Sequence, residues 1–172
     1  MFLAQTARPH MLAAVFLAAA MALVVGTALG FEHIGGFVPC KLCLEQRLPY
    51  YAGIPIAVAT FIAALLRWPE TLVRAGLILI GLLMAYGLAL GVYHAGIEWA
   101  WWMGPADCST SSTTGITTDA SNLLGALDAI VPPACDQAAG RFLGLSFAGW
   151  NVIASLCLMF IAFKTALAKQ AS

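Results

Sequence analysis

The chain has 172 residues, 62% of them hydrophobic and only 9% charged, against about 25% charged in an ordinary soluble domain. A mean hydropathy of +0.90 excludes a free water-soluble enzyme and a disordered chain alike. Eight basic and eight acidic residues cancel, so no global field draws in nucleic acid.

Four uncharged runs follow along the chain: Met11–Gly30, Pro49–Leu66, Ala75–Tyr93 and Phe142–Phe163. Each is long enough to cross about 30 Å of hydrocarbon at about 1.5 Å per residue. Backbone in lipid must satisfy its own hydrogen bonds, and runs of this length do so as helices. The expected fold is an all-α integral membrane protein: one domain, 1–172, built as a four-transmembrane-helix bundle. Spans cover about 11–30, 49–66, 75–93 and 142–163, with outward loops at about 31–48 and 94–141. Pro55 lies inside the second span, which a membrane bundle tolerates. The first run also resembles a signal peptide ending at Ala28-Leu29-Gly30. Against that stand its length, beyond the usual 7–15 apolar residues, and small residues at Ala14, Ala18, Ala22, Gly26 and Gly30, a stripe suited to helix packing. Gly87 and Gly91 offer the third span the same close approach.

Within the long second loop, Asn122–Val131 reads as a short amphipathic helix lying on the membrane and ended by Pro132 and Pro133. Arg8, Arg67, Arg74, Lys164 and Lys169 fall on one side of the four spans, and Lys41, Arg47 and Arg141 on the other. That bias places both termini in the cytoplasm. Trp99, Trp101, Trp102, Tyr50 and Tyr51 then mark the outer interface.

Cys40, Cys43, Cys108 and Cys135 all fall in the two outward loops, and Cys157 lies within the fourth span as a small buried hydrophobe. An even number of thiols on an oxidising side implies disulfides. Cys40-Lys-Leu-Cys43 has the tight spacing of exchange-active pairs, whose thiolates are acidified by nearby positive charge. Lys41 lies inside it and Arg47 follows Cys43 by four residues, one helical turn along if a helix begins there. A four-thiolate zinc site would want a second close pair, but 26 residues separate Cys108 from Cys135; no metal site is expected. Two structural staples remain an alternative to a redox relay.

A relay needs an electron acceptor at the mouth of the bundle. Haem would need axial histidines, but His10, His33 and His94 all avoid the span centres. A flavin or nicotinamide fold has no room. A lipid quinone needs only an apolar cleft, a cation and proton donors. Arg47 is the candidate cation, and His94 and Glu98, spaced i and i+4, are candidate proton donors. The polar tract after Cys108 suits a loop that presents a disulfide to another protein's thiolate.

Cys40-Lys-Leu-Cys43-Leu-Glu-Gln-Arg47, Tyr93-His94-Ala-Gly-Ile-Glu98-Trp99, Gly104-Pro-Ala-Asp-Cys108 and Phe142-Leu-Gly-Leu-Ser together resemble the disulfide bond formation protein B family, over about residues 11 to 165. The resemblance implies a bacterial inner-membrane thiol:quinone oxidoreductase supporting protein disulfide formation. It would take two electrons from a periplasmic thioredoxin-fold thiol oxidase (DsbA-like) and pass them to ubiquinone or menaquinone. By matching position, Cys108 would be the sulfur attacked by the partner and Cys135 its loop mate. Cys40 and Cys43 would receive the electrons, Cys43 next to the quinone ring held by Arg47. Cys40–Cys43 with Cys108–Cys135 is the resting pattern this suggests, one of three pairings four cysteines allow. A vitamin K epoxide reductase-like protein is disfavoured because here the Cys-x-x-Cys follows the first span.

Overall fold

A computed structural model of the chain describes residues 3–105, 135, 136, 138 and 140–168, with side chains from residue 8 onward. In order these form α1 (Leu3–His33), the short α2 (Lys41–Glu45), α3 (Leu48–Leu65), α4 (Glu70–Glu98), a two-stranded hairpin of β1 (Arg141–Phe142) and β2 (Leu145–Ser146), and α5 (Phe147–Leu167). Four of its helical segments are long and apolar enough to cross a membrane, so the chain is a multi-pass membrane protein. The horizontal helix expected at Asn122–Val131 lies outside the described residues.

The long helices pack in a ring, α1 on α3, α3 on α4, α4 on α5, with α5 returning less extensively to α1. One face of each is buried at helical spacing: Ala14, Leu17, Met21 and Val25 of α1; Leu77, Ile80 and Met84 of α4; Leu158 and Ala162 of α5. The opposite faces keep Leu23, Leu82 and Phe160 exposed, as a lipid solvent requires. The small-residue stripe of α1 packs only in its first half, at buried Ala14 and half-buried Ala18. Ala22 and Gly26 are exposed, and a Cβ on Gly26 would meet nothing within 4 Å. Larger residues one position earlier fill the core. On α4 the small residues do admit close approach: a Cβ on Gly91 would lie 3.0 Å from a Val152 methyl and 3.4 Å from its backbone nitrogen.

Helix ends explain where the spans depart from expectation. After α3, Arg67 takes φ 57°. Its N–H bonds Ala64 O, and Trp68 N–H bonds Ala63 O, the paired pattern that closes a helix C-terminus. Ala100 (φ 56°) does the same after α4, with Trp101 N–H reaching Gly96 O. α4 starts at Glu70, ahead of the uncharged run, where Glu70 pairs with Arg74 at 2.9 Å. The fourth span starts at Phe147 and not at Phe142. Leu143 and Gly144 adopt φ 53° and 83°, the two positive values of a tight hairpin turn. Ser146 then caps α5, its Oγ accepting from Gly149 N at 3.2 Å.

Gly91→Leu should wedge α4 from α5 and cost about 1–3 kcal/mol, lowering the melting temperature in detergent, while Gly26→Ala should not. Equal melting of Gly91→Leu and the parent would contradict this packing.

Candidate active site

The site grows from a break in a helix. Cys40 is extended (φ −74°, ψ 168°) and caps α2, its sulfur accepting from Cys43 N–H at 3.3 Å. α2 lasts five residues, because Pro49 has no N–H to give Glu45 O and starts a new helix instead. Arg47 is therefore the N-cap of α3, not a residue one turn along from Cys43 in a continuous helix. The two sulfurs stand 2.9 Å apart as free thiols.

The pair looks two ways. Cys40 is buried and belongs to one apolar cluster with Leu42, Ile97 and Cys135, against which Cys43 packs. Cys135 is disulfide-bonded; Cys108 lies outside the described residues. On the other side, Cys43 lines a cavity of about 480 Å³ whose wall is mostly apolar, built from α1, α3, α5 and the segment Phe37–Pro39 before α2. Its polar lining residues include Thr27, Glu32, Gln46, Arg47, Tyr50 and Asn151. A space of this size, apolar with a few converging polar groups, suits a small ring-bearing molecule.

Arg47 reaches the cavity wall already paired with Glu32 of α1. Glu32 could be suspected from sequence only as a lone acid at the end of an apolar run. His94 and Glu98 do not line the cavity; they sit behind the thiols. His94 Nε2 is 3.6 Å from Cys40 Sγ, and Glu98 Oε1 is 3.8 Å from the same nitrogen. His94 Nδ1 meets Gln46 Nε2 at 2.6 Å. Asn151 Nδ2 then donates to Gln46 Oε1 at 2.6 Å, and Tyr50 O–H donates to Asn151 Oδ1 at 2.7 Å. The i, i+4 spacing of His94 and Glu98 was legible; Gln46, Tyr50 and Asn151 were not, since single uncharged polar residues mark no pattern. Cys157 is exposed on α5, not buried: its face of the helix lies outside the packed core, where an apolar thiol suits lipid.

Cys40, Cys43 and His94 bring their donor atoms within 4.8 Å of one another, a spacing one ion could bridge only if Nε2 offered a lone pair. The electrostatics favour a thiolate at Cys40. The Cys43 thiol donating to it is the largest cause; burial opposes, and His94 adds to the lowering, bringing Cys40 to about 4 from an ordinary 9.0. A lowered value means the reactive thiolate persists as pH falls, until the group protonates. Iodoacetamide labelling of Cys40 in the reduced protein should therefore be half-maximal well below the ordinary thiol range. A midpoint near the ordinary thiol range would contradict this geometry.

A family model for "Disulfide bond formation protein DsbB" matches residues 10–165, from α1 through almost all of α5. The chain is also 25% identical over 137 residues to "Uncharacterized protein RP370" of Rickettsia prowazekii (strain Madrid E), covering 80% of this chain and 76% of that one. No solved structure matches. A match of that extent, across a four-helix membrane bundle with a buried Cys-x-x-Cys at its mouth, places the chain in the DsbB family of disulfide bond formation proteins.

Proposed function

We propose that this protein reoxidises a soluble thioredoxin-fold dithiol oxidase (DsbA-like) and passes the electrons through two cysteine pairs to ubiquinone or menaquinone. Membership of the family makes it an oxidoreductase of disulfide bond formation held in a membrane; the donor and the acceptor are the finer reading. The family resemblance implies a bacterial inner membrane, and the charge bias puts both termini in the cytoplasm and the cysteine loops in the periplasm. The reading is carried by one observation: Cys43 lines the apolar cavity while its neighbour Cys40 packs in a buried cluster with disulfide-bonded Cys135.

The chemistry is two thiol–disulfide exchanges and one oxidation. A partner thiolate attacks Cys108 and resolves with its second thiol, leaving Cys108 and Cys135 reduced. These then reduce the Cys40–Cys43 disulfide by exchange, which conserves electrons. Reforming that disulfide releases two electrons and two protons. A lipid quinone held in the cavity by Arg47 beside Cys43 would supply the sink for both.

The chain's own groups fit that task. Cys43 meets the cavity occupant directly. Arg47 offers guanidinium donors to a ring oxygen that gains charge, and Glu32 holds it in place. The mostly apolar wall disfavours water beside the reacting sulfur, and Tyr50 lines the same wall.

The test is ubiquinone-1 reduction by the purified protein, followed by absorbance, with a reduced thioredoxin-fold oxidase as donor. Wild type should turn over, and folded Cys43→Ser should fall to background. Arg47→Gln should raise the quinone KM about tenfold or more, the weight of one charge-assisted hydrogen bond. Full turnover by Cys43→Ser would overturn the relay. Failure of wild type with this donor, with other thioredoxin-fold donors and with small thiols would leave a structural scaffold.

A further inference from the structure

The row of hydrogen bonds behind the thiols has a direction. Asn151 Nδ2 faces two oxygens, Gln46 Oε1 at 2.6 Å and the backbone carbonyl of Gly87 at 3.5 Å. A backbone carbonyl only accepts, so Gly87 fixes which end of the Asn151 amide points that way. That leaves Asn151 Oδ1 toward Tyr50, whose O–H donates to it and which shares a second contact with Ser155 Oγ at 2.8 Å. Gln46, accepting at Oε1, must present Nε2 to His94 Nδ1. An amide nitrogen only donates, so Nδ1 accepts and a neutral ring carries its hydrogen on Nε2.

We propose that Asn151 and Gln46 are positioning residues, an amide relay anchored on Gly87 that holds His94 with its Nε2–H facing Cys40. His94 is then a hydrogen-bond donor to the Cys40 thiolate. It cannot act as the base that takes the thiol proton at Nε2, and it has no lone pair there for a metal ion. The surroundings of Nε2 agree, since the groups facing it are Cys40 Sγ and Glu98 Oε1, both able to accept. The relevant charges are few. Cys43 and Lys41 flank Cys40, Glu98 lies on the histidine's own helix, and Arg47 paired with Glu32 stands on the cavity side. α3 and α5 contribute only uncharged Tyr50, Asn151 and Ser155 to the network. Neutral Gln46, Asn151, Tyr50 and Ser155 thus orient the imidazole from its Nδ1 side, while buried Glu98 stands at Nε2.

This inference concerns the thiol pair of the reading above, but its test needs no quinone and no partner, so the two can fail separately. Trypsin cuts after Lys41, which puts Cys40 and Cys43 on different peptides. The pH midpoint of Cys40 alkylation in the reduced protein can then be read alone, in wild type, Gln46→Leu, His94→Leu and the double variant. Gln46→Leu and His94→Leu should each raise the midpoint by about one pH unit, about tenfold less thiolate at a fixed acid pH. The double variant should go no higher than His94→Leu, because Gln46 acts through the ring. An unmoved midpoint in Gln46→Leu, or a shift that adds in full to that of His94→Leu, would overturn the proposal. Should the variants not fold, nitrogen-15 NMR of the parent with His10→Gln and His33→Gln reports the His94 ring directly. Hydrogen on Nε2 supports the relay; hydrogen on Nδ1 alone overturns it.

Discussion

Pro49 has no N–H to offer the carbonyl of Glu45, and the helical stretch Lys41–Leu65 is interrupted at Gln46 and Arg47 in consequence. The arrangement at the cysteine end depends on this interruption. Cys40 stays at the cap of a five-residue helix, buried with Cys135, while Cys43 turns to the cavity. Gln46 and Arg47, adjacent in sequence, serve different neighbours. Gln46 reaches across to α4 and α5, and Arg47 reaches back to Glu32 on α1. Both keep right-handed helical dihedrals, so their side chains still project about 100° apart and meet these different neighbours.

A bundle in lipid gains little from burying apolar surface, so its helices are held by packing and by the few polar groups that find partners. Here the inner polar groups near the thiol pair form one run, from Ser155 through Tyr50, Asn151 and Gln46 to His94. It links α3, α4 and α5 just behind the cavity, where unpaired polar atoms would be costly. Glu98 Oε2 is an exception: buried, with no hydrogen-bond partner among the described residues. The same run that ties the helices together sets the imidazole against Cys40, so folding and thiol chemistry share one set of bonds.

The four spans and the thiol pair were legible because each has a signature that needs no tertiary contact: uninterrupted apolar length, and cysteine spacing. The ends of the spans were not. Phe142, Leu143 and Leu145 count as apolar in any window, yet positive φ at Leu143 and Gly144 folds them into a hairpin. Gly144 was the available hint. Arg47 was legible as a cation near Cys43, but not its partner Glu32, 15 residues earlier on another helix. His94 and Glu98 were found by spacing and assigned toward a quinone, whereas the structure turns them to the sulfurs. Spacing shows which residues share a face, and not what the face meets. Asn151, 105 residues from Gln46, carried no local signal.

We propose that the cavity beside Cys43, bounded by α1 and α5, is where the electron acceptor binds. Photolabelling with an azido-ubiquinone analogue, followed by peptide mass spectrometry, tests it most directly. Labels should map to Leu23–Phe31 and Phe147–Ala154, and excess ubiquinone-1 should suppress them. Labels gathered instead on the lipid face of α4 around Leu88 and Val92, or spread evenly over all four spans without competition, would contradict the account.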